Sequence, residues 1–139
     1  MNQGTVFIVE DDVELAQLMK IRIETAGHRV LITNNGDEAF DLIAAKVPDL
    51  VILDIFLPDT DGLTILKRLK APLDIDTGKP SVTKDIPVIV MTGKAPMIEN
   101  MTRIEGAVDF FVKPADINKL VNRVSQLLEL TQHERKEKS

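Results

Sequence analysis

The 139-residue chain contains no cysteine, which excludes a disulfide scaffold, a thiolate zinc site and cysteine nucleophile chemistry. No apolar run exceeds four or five residues, too short for a membrane span. The opening Met1-Asn2-Gln3-Gly4-Thr5 has neither the basic region nor the apolar stretch of a signal peptide. A positive surplus is missing as well. The 22 Asp and Glu outnumber the 17 Lys and Arg, for a formal charge of −5, and that balance argues against non-specific nucleic-acid binding. With 44% hydrophobic and 28% charged residues, the composition is that of a soluble globular protein, and the length that of one domain with its own core. The acids are unevenly placed: six of the 22 fall within residues 10–12 and 54–61.

Short apolar runs alternate along the chain with segments of helical period. Val6-Phe7-Ile8-Val9, Val30-Leu31-Ile32, Leu50-Val51-Ile52-Leu53, Val88-Ile89-Val90-Met91 and the stretch Val108 to Val112 read as five strands. Their unbroken apolarity is that of strands covered on both faces. Helical stripes follow each: Val13 to Ala26 stopped by Gly27, Ala39 to Ala44 before Pro48, Leu63 to Leu69, Met97 to Ile104 after Pro96, and 117–128 opened by Asp116. Residues 71–85, with Pro72, Gly78 and Pro80, form a long loop. His28, beside Gly27 at a turn, is expected at the surface. The tail 132–139 has no apolar residue and is expected to fray.

Five strand–helix units imply an α/β fold, a parallel sheet with helices on both faces. Ligands of such sheets gather at the carboxyl ends of the strands, where this chain places Glu10-Asp11-Asp12, Asp54, Thr92 and Lys113. Each has a purely structural reading. Asp11 with Glu14 fits a capping box, Thr92 a loop hydroxyl, and Lys113 a solvated lysine before a proline turn. Asp54 resists such a reading, since it ends a fully apolar strand and points into the crevice where Glu10 and Asp11 arrive. Three converging carboxylates repel one another and raise at least one pKa. A hard divalent cation relieves this, and Mg²⁺ suits a site shared with a phosphate. A carboxylate beside Mg²⁺ can attack a phosphoryl group and become an acyl phosphate. The ammonium of Lys113 and the hydroxyl of Thr92 then supply charge and a directional hydrogen bond to its oxygens.

The stretches Ile8-Val9-Glu10-Asp11-Asp12, Leu53-Asp54-Ile55-Phe56-Leu57-Pro58-Asp59-Thr60-Asp61-Gly62, Met91-Thr92-Gly93 and Phe110-Phe111-Val112-Lys113-Pro114 resemble the receiver domain of two-component response regulators. Residues 5 to about 130 carry the resemblance. It implies a flavodoxin-like, doubly wound five-stranded parallel sheet of order 2-1-3-4-5. It also implies that Asp54 accepts a phosphoryl group from the phosphohistidine of a sensor histidine kinase or histidine phosphotransfer protein. Glu10, Asp11, Asp54 and the backbone carbonyl of Phe56 would bind Mg²⁺, with Asp12 supporting the helix start. Thr92 and Lys113 would contact the phosphoryl group, Lys113-Pro114 could be a cis peptide, and Gly62 suits the turn into the third helix. Phe110 matches the aromatic switch position. By family behaviour Thr92 moves toward the phosphoryl group, Phe110 turns inward, and the face of the fourth helix, fifth strand and fifth helix is remodelled for a downstream protein or a second copy. The bland alternative for Phe110 is a core aromatic.

Several positions depart from the family pattern. Gly93 replaces a usual alanine, Ala115 a bulky apolar residue, and the 71–85 loop is about eight residues longer than usual. That loop joins a helix to a strand, so it belongs at the opposite end of the sheet from the chemistry. Phe56 and Lys94 stand at the two positions that tune loss of the phosphoryl group, and neither can orient water, so a long-lived acyl phosphate is expected. Competing readings fail on single residues. A haloacid-dehalogenase-type phosphatase needs a second Asp where Phe56 stands. A calcium loop suggested by Asp59-Thr60-Asp61-Gly62, with Gly62 at its sixth position, would need Glu where Arg68 stands. His133-Glu134 is a solvated helix end rather than a kinase phosphohistidine box. The expectation is therefore a cytoplasmic signalling switch rather than a turnover enzyme, with a receiver domain over 1–130 and a charged tail or linker start over 131–139. A non-phosphorylated interaction module is the alternative. The protein would be either a stand-alone regulator or a receiver from a longer chain, without membrane or direct nucleic-acid contacts.

Overall fold

A computed structural model describes residues 4–93, 102–103, 105–113 and 115–138, the last four of them by backbone alone. Most of the helix expected over 96–104, together with Lys94 and the Lys113–Pro114 peptide, lies outside the described residues.

Five strands are present, β1 (Thr5–Val9), β2 (Arg29–Thr33), β3 (Leu50–Asp54), β4 (Val88–Thr92) and β5 (Asp109–Val112). The described helices are α1 (Val13–Thr25), α2 (Gly36–Lys46), α3 (Gly62–Lys70) and a C-terminal α4 (Ile117–Lys138). The sheet is fully parallel, in the order β2-β1-β3-β4-β5, as the sequence predicts. Alternate residues of each strand serve opposite faces. Val6, Ile8, Leu50, Ile52, Ile89 and Met91 pack with Met19, Ile23, Leu120, Val124 and Leu128 of α1 and α4. Phe7, Val9, Val51, Leu53, Val88 and Val90 pack with Phe40, Ile43, Ile65, Leu66 and Leu69 of α2 and α3. With both faces covered, β3 and β4 have no polar residue until their last, Asp54 in β3 and Thr92 in β4.

Helix ends show where local signals were decisive. Gly27 adopts φ +100° just past α1, a left-handed terminus that glycine takes without steric cost. Asp116 Oδ1 accepts from the backbone N–H groups of Asn118 and Lys119, opening α4 as expected. The capping box open to Asp11 and Glu14 does not form, and Asp12 supports the helix start, as the family resemblance implies. The cap is Asp12, whose carboxylate accepts from Leu15 N at 3.1 Å. This places Leu15, not Glu14, at the third helical position and leaves Asp11 exposed at the crevice.

Two further expectations are corrected. His28 is only 4% exposed; its Nε2 lies 2.9 Å from Ser125 Oγ, closing the seam between the α1–β2 turn and α4. Nor does the tail fray: α4 continues through Lys138. Extending a helix already nucleated costs little, and 129–138 contains no Gly or Pro to stop it. The loop after α3 has no helix or long ladder, yet it is tied down. Leu73 pairs with Pro80, and the Thr83 hydroxyl donates to Leu69 O at 2.8 Å in a buried position. No helix among the described residues is long and apolar enough to cross a membrane.

Candidate functional site

The order reversal between β1 and β3 opens a crevice at the carboxyl end of the sheet. Register aligns Val9 of β1 with Leu53 of β3, so Glu10 and Asp54, each one residue further on, emerge side by side. One carboxylate oxygen from each of Glu10, Asp11 and Asp54 lies within 4.8 Å of the others. Lys113, just beyond β5, places Nζ 2.8 Å from Asp54 Oδ2 and also pairs with Glu10 Oε1. The other oxygen of Asp54 accepts from Phe56 N at 2.9 Å, which fixes the plane of the carboxylate. Glu10 Oε2 accepts from Asp12 N at 3.2 Å.

Glu10 and Asp54 are almost wholly buried, at 1% and 4% exposure. Burial pushes the Glu10 carboxyl up to about 7; the Lys113 hydrogen bond opposes this, and the neighbouring Asp54 adds to it. Burial works against the Lys113 ammonium too, but its bonds to Asp54 and Glu10 win and hold its pKa above the ordinary value. Three carboxyl groups share this crevice with one ammonium, and its donors are oxygens only, with the raised Glu10 recording its burial and the crowding of acids. That donor set fits a hard divalent cation of the Mg²⁺ type.

The loop from Ile55 to Asp61 is shaped by two close approaches. A Cβ on Gly62 would lie 2.5 Å from Ile55 Cα and 2.6 Å from Asp54 O. Gly62 is thus required for space against the backbone beside Asp54, not for a special φ. On the other side, a Cβ on Gly36 would meet Thr60 Cγ2 at 2.3 Å. Asp61 caps α3 by accepting from Leu63 N at 3.0 Å. Asp59 reaches across to α2 and accepts from Gly36 N at 3.3 Å and Asp37 N at 3.0 Å.

Glu10, Asp11, Asp54 and Lys113, singled out from the sequence, thus converge. Thr92 ends β4 fully buried, and its carbonyl accepts from Lys113 N at 2.8 Å. Phe56 stands over the loop with its residue 44% exposed. Phe110 of β5 is partly buried against the α2–α3 side of the core. Sequence reasoning missed Asn34, whose side-chain amide donates to Glu10 O at 2.8 Å, and the reach of Asp59. A polar Asn-Asn-Gly turn signals only a turn; its partners are 22 to 24 residues away.

This fold and this crevice define a receiver. Residues 6–125 match the sequence profile of the response regulator receiver domain, and the chain belongs to that family. It is 32% identical over 128 residues to the phosphate regulon transcriptional regulatory protein PhoB of Pseudomonas aeruginosa, covering 91% of this chain and 52% of that protein. The chain thus spans about half the length of the curated relatives it matches. The Francisella response regulator 1452 receiver domain superposes with a TM-score of 0.79 at 26% identity, over 92% of this chain and 98% of that one. The BeF3-activated N-terminal receiver domain of Klebsiella pneumoniae RstA gives 0.73 at 28% identity, over 89% and 97%. The chain is therefore a signalling domain of the two-component type, a class that receives phosphoryl groups from histidine kinases and binds Mg²⁺ in an acidic pocket.

Proposed function

We propose that Asp54 is the phospho-acceptor of a switch that a sensor histidine kinase or histidine phosphotransfer protein sets. The carrying observation is the convergence of Glu10, Asp11 and Asp54 within 4.8 Å, with Lys113 Nζ 2.8 Å from Asp54. A carboxylate oxygen of Asp54 attacks phosphorus as the bond to the histidine nitrogen breaks. The imidazole leaves with the electron pair and takes up a proton, while Asp54 keeps the phosphoryl group as an acyl phosphate. Lys113 neutralises charge on the phosphoryl oxygens, and the Thr92 hydroxyl donates a directional hydrogen bond to one of them. Glu10, Asp11, Asp54 and the Phe56 carbonyl would hold Mg²⁺, which when bound would supply positive charge to the transferring group.

Phosphorylation draws Thr92 inward, and Phe110 follows into the space behind it by packing alone. The face of β5 and α4, together with the fourth helix expected from the sequence, changes shape for a downstream protein or a second copy of the chain. The receiver unit is 1–130, with 131–139 a tail or linker start; it acts in the cytoplasm, without direct nucleic-acid binding or membrane contact. It is no turnover enzyme beyond catalysing its own phosphorylation and slow dephosphorylation. Incubation with Mg²⁺ and acetyl phosphate followed by intact mass measurement tests the reading. A gain of one phosphoryl group, absent in Asp54→Asn, is expected. No gain in the unaltered protein overturns it in favour of a non-phosphorylated interaction module.

A further inference from the structure

The two segments that carry the acidic pocket leave the sheet separately: Glu10-Asp11 follows β1, and Asp54 to Phe56 lead out of β3. The β2–α2 turn bonds to the first segment at Glu10 and to the continuation of the second at Asp59, three residues past Phe56. On one side the Asn34 amide donates to the carbonyl of Glu10 at 2.8 Å. On the other, the N–H groups of Gly36 and Asp37 donate to the two carboxylate oxygens of Asp59. The turn itself is stiff. Thr33 Oγ1 donates to Glu38 Oε1 at 2.6 Å and accepts from Asn35 N at 3.2 Å.

The Asp59 contact is not needed to start the helix. Asn35 already caps α2, its side chain accepting from Asp37 N at 2.9 Å. Asp59 shares that same N–H at 3.0 Å and also accepts from the buried Gly36 N at 3.3 Å, so it adds to the Asn35 cap without replacing it. Gly36 adds an independent sign that the approach matters, because any Cβ there would strike Thr60, Leu57 and Asp59 together. The chain forgoes a side chain at that position, and the loop following Phe56 lies directly on the helix end.

We infer that Asn34 and Asp59 are positioning residues for the cation site, with the β2–α2 turn acting as a strut that sets the spacing between Glu10-Asp11 and Asp54-Phe56. Neither residue touches the cation. Each holds a ligand-bearing segment at the distance a small octahedral ion demands. The inference rests on the proposed cation site but not on phosphoryl transfer.

Titration calorimetry with MgCl₂ alone tests it, alongside thermal melts in Mg²⁺-free buffer. Asp59→Ala should raise the Mg²⁺ Kd about tenfold with the protein still folded, because Asn35 keeps its bond to Asp37 N and only Gly36 N loses its acceptor, which lowers the Mg²⁺-free Tm modestly. Asp59→Asn keeps an acceptor oxygen and should recover much of the loss. Asn34→Ala acts from the other side of the strut and should weaken Mg²⁺ similarly, which decides the matter if Asp59→Ala does not fold. An unchanged Mg²⁺ Kd in folded variants, with or without a lowered Tm, overturns the inference, as does absence of saturable Mg²⁺ binding by the unaltered protein. If the unaltered protein binds Mg²⁺ but takes no phosphoryl group, only the acceptor role of Asp54 fails, and the titration still judges the strut.

Discussion

Alanine at Gly62 puts a methyl group against backbone that cannot step aside as a side chain could. Its Cβ would lie 2.5 Å from Ile55 Cα and 2.6 Å from both Asp54 O and Ile55 O. Reaching even 3.0 Å moves α3 or the strand end by about 0.5 Å, and an ordinary contact of 3.4 Å by about 0.9 Å. The same movement stretches the 2.9 Å bond from Gly62 N to Ile55 O. Overpacking of this kind costs about 1–3 kcal/mol. Alanine returns up to about 1 kcal/mol because it is the better helix former, so the net loss spans about 0–3 kcal/mol, with roughly 1–2 kcal/mol at its centre. For a domain of this size that lowers Tm by about 3–8 °C. The displaced backbone carries Asp54, and a misplacement near 1 Å costs on the order of 10²-fold in rate. Circular dichroism melts and initial rates of phosphorylation by acetyl phosphate at saturating Mg²⁺ measure the two effects. The signs are opposed without the close approach: helix propensity alone would raise Tm and leave the rate alone. That result would refute the reasoning.

Further expectations follow from the same geometry. Lys113→Met removes a cation that competes for Glu10 and Asp54, so Mg²⁺ should bind several-fold more tightly in calorimetry while phosphorylation falls; weaker Mg²⁺ binding would contradict this. His28 is buried with Nδ1 unpartnered, and burial lowers its pKa below 6.5. Its contribution to stability is therefore full above the unfolded pKa and is lost as pH falls below about 6.5. His28→Gln should lose less stability than the unaltered protein between pH 7.5 and 5.5 in urea titrations, and parallel losses would remove His28 as the cause. Phe56 offers no group to orient water, so label on the phosphoprotein should persist for minutes or longer without a phosphatase, and Phe56→Glu should shorten its life. Loss within seconds from the unaltered protein would contradict this.

Much was legible in the sequence because it depends on neighbours in the chain. The apolar runs marked the five strands, since a strand buried on both faces has no place for a polar residue until it ends. Asp54 stood out by the same reasoning, and Gly27 and Asp116 marked helix ends through contacts one to three residues away. What local pattern could not decide was the choice between equivalent neighbours. Asp11 and Asp12 are both competent caps, and backbone geometry at the end of β1 selects Asp12, leaving Asp11 to the crevice.

Only the tertiary structure decided the long-range contacts. His28 reads as a surface turn residue until α4, 97 positions away, brings Ser125 against it. Gly36 and Gly62 read as turn glycines; the fold shows that they make room for other segments. Asn34 meets Glu10, and Asp59 meets the start of α2, only once β1, β2 and β3 lie side by side. The sequence by itself determined which oxygen ligands and which lysine the chain possesses, because strand ends in a parallel sheet face one crevice whatever their spacing. The distances within that crevice follow from the β1–β3 register and from Lys113 reaching Glu10 and Asp54 out of β5. They depend on packing between segments that no local pattern records.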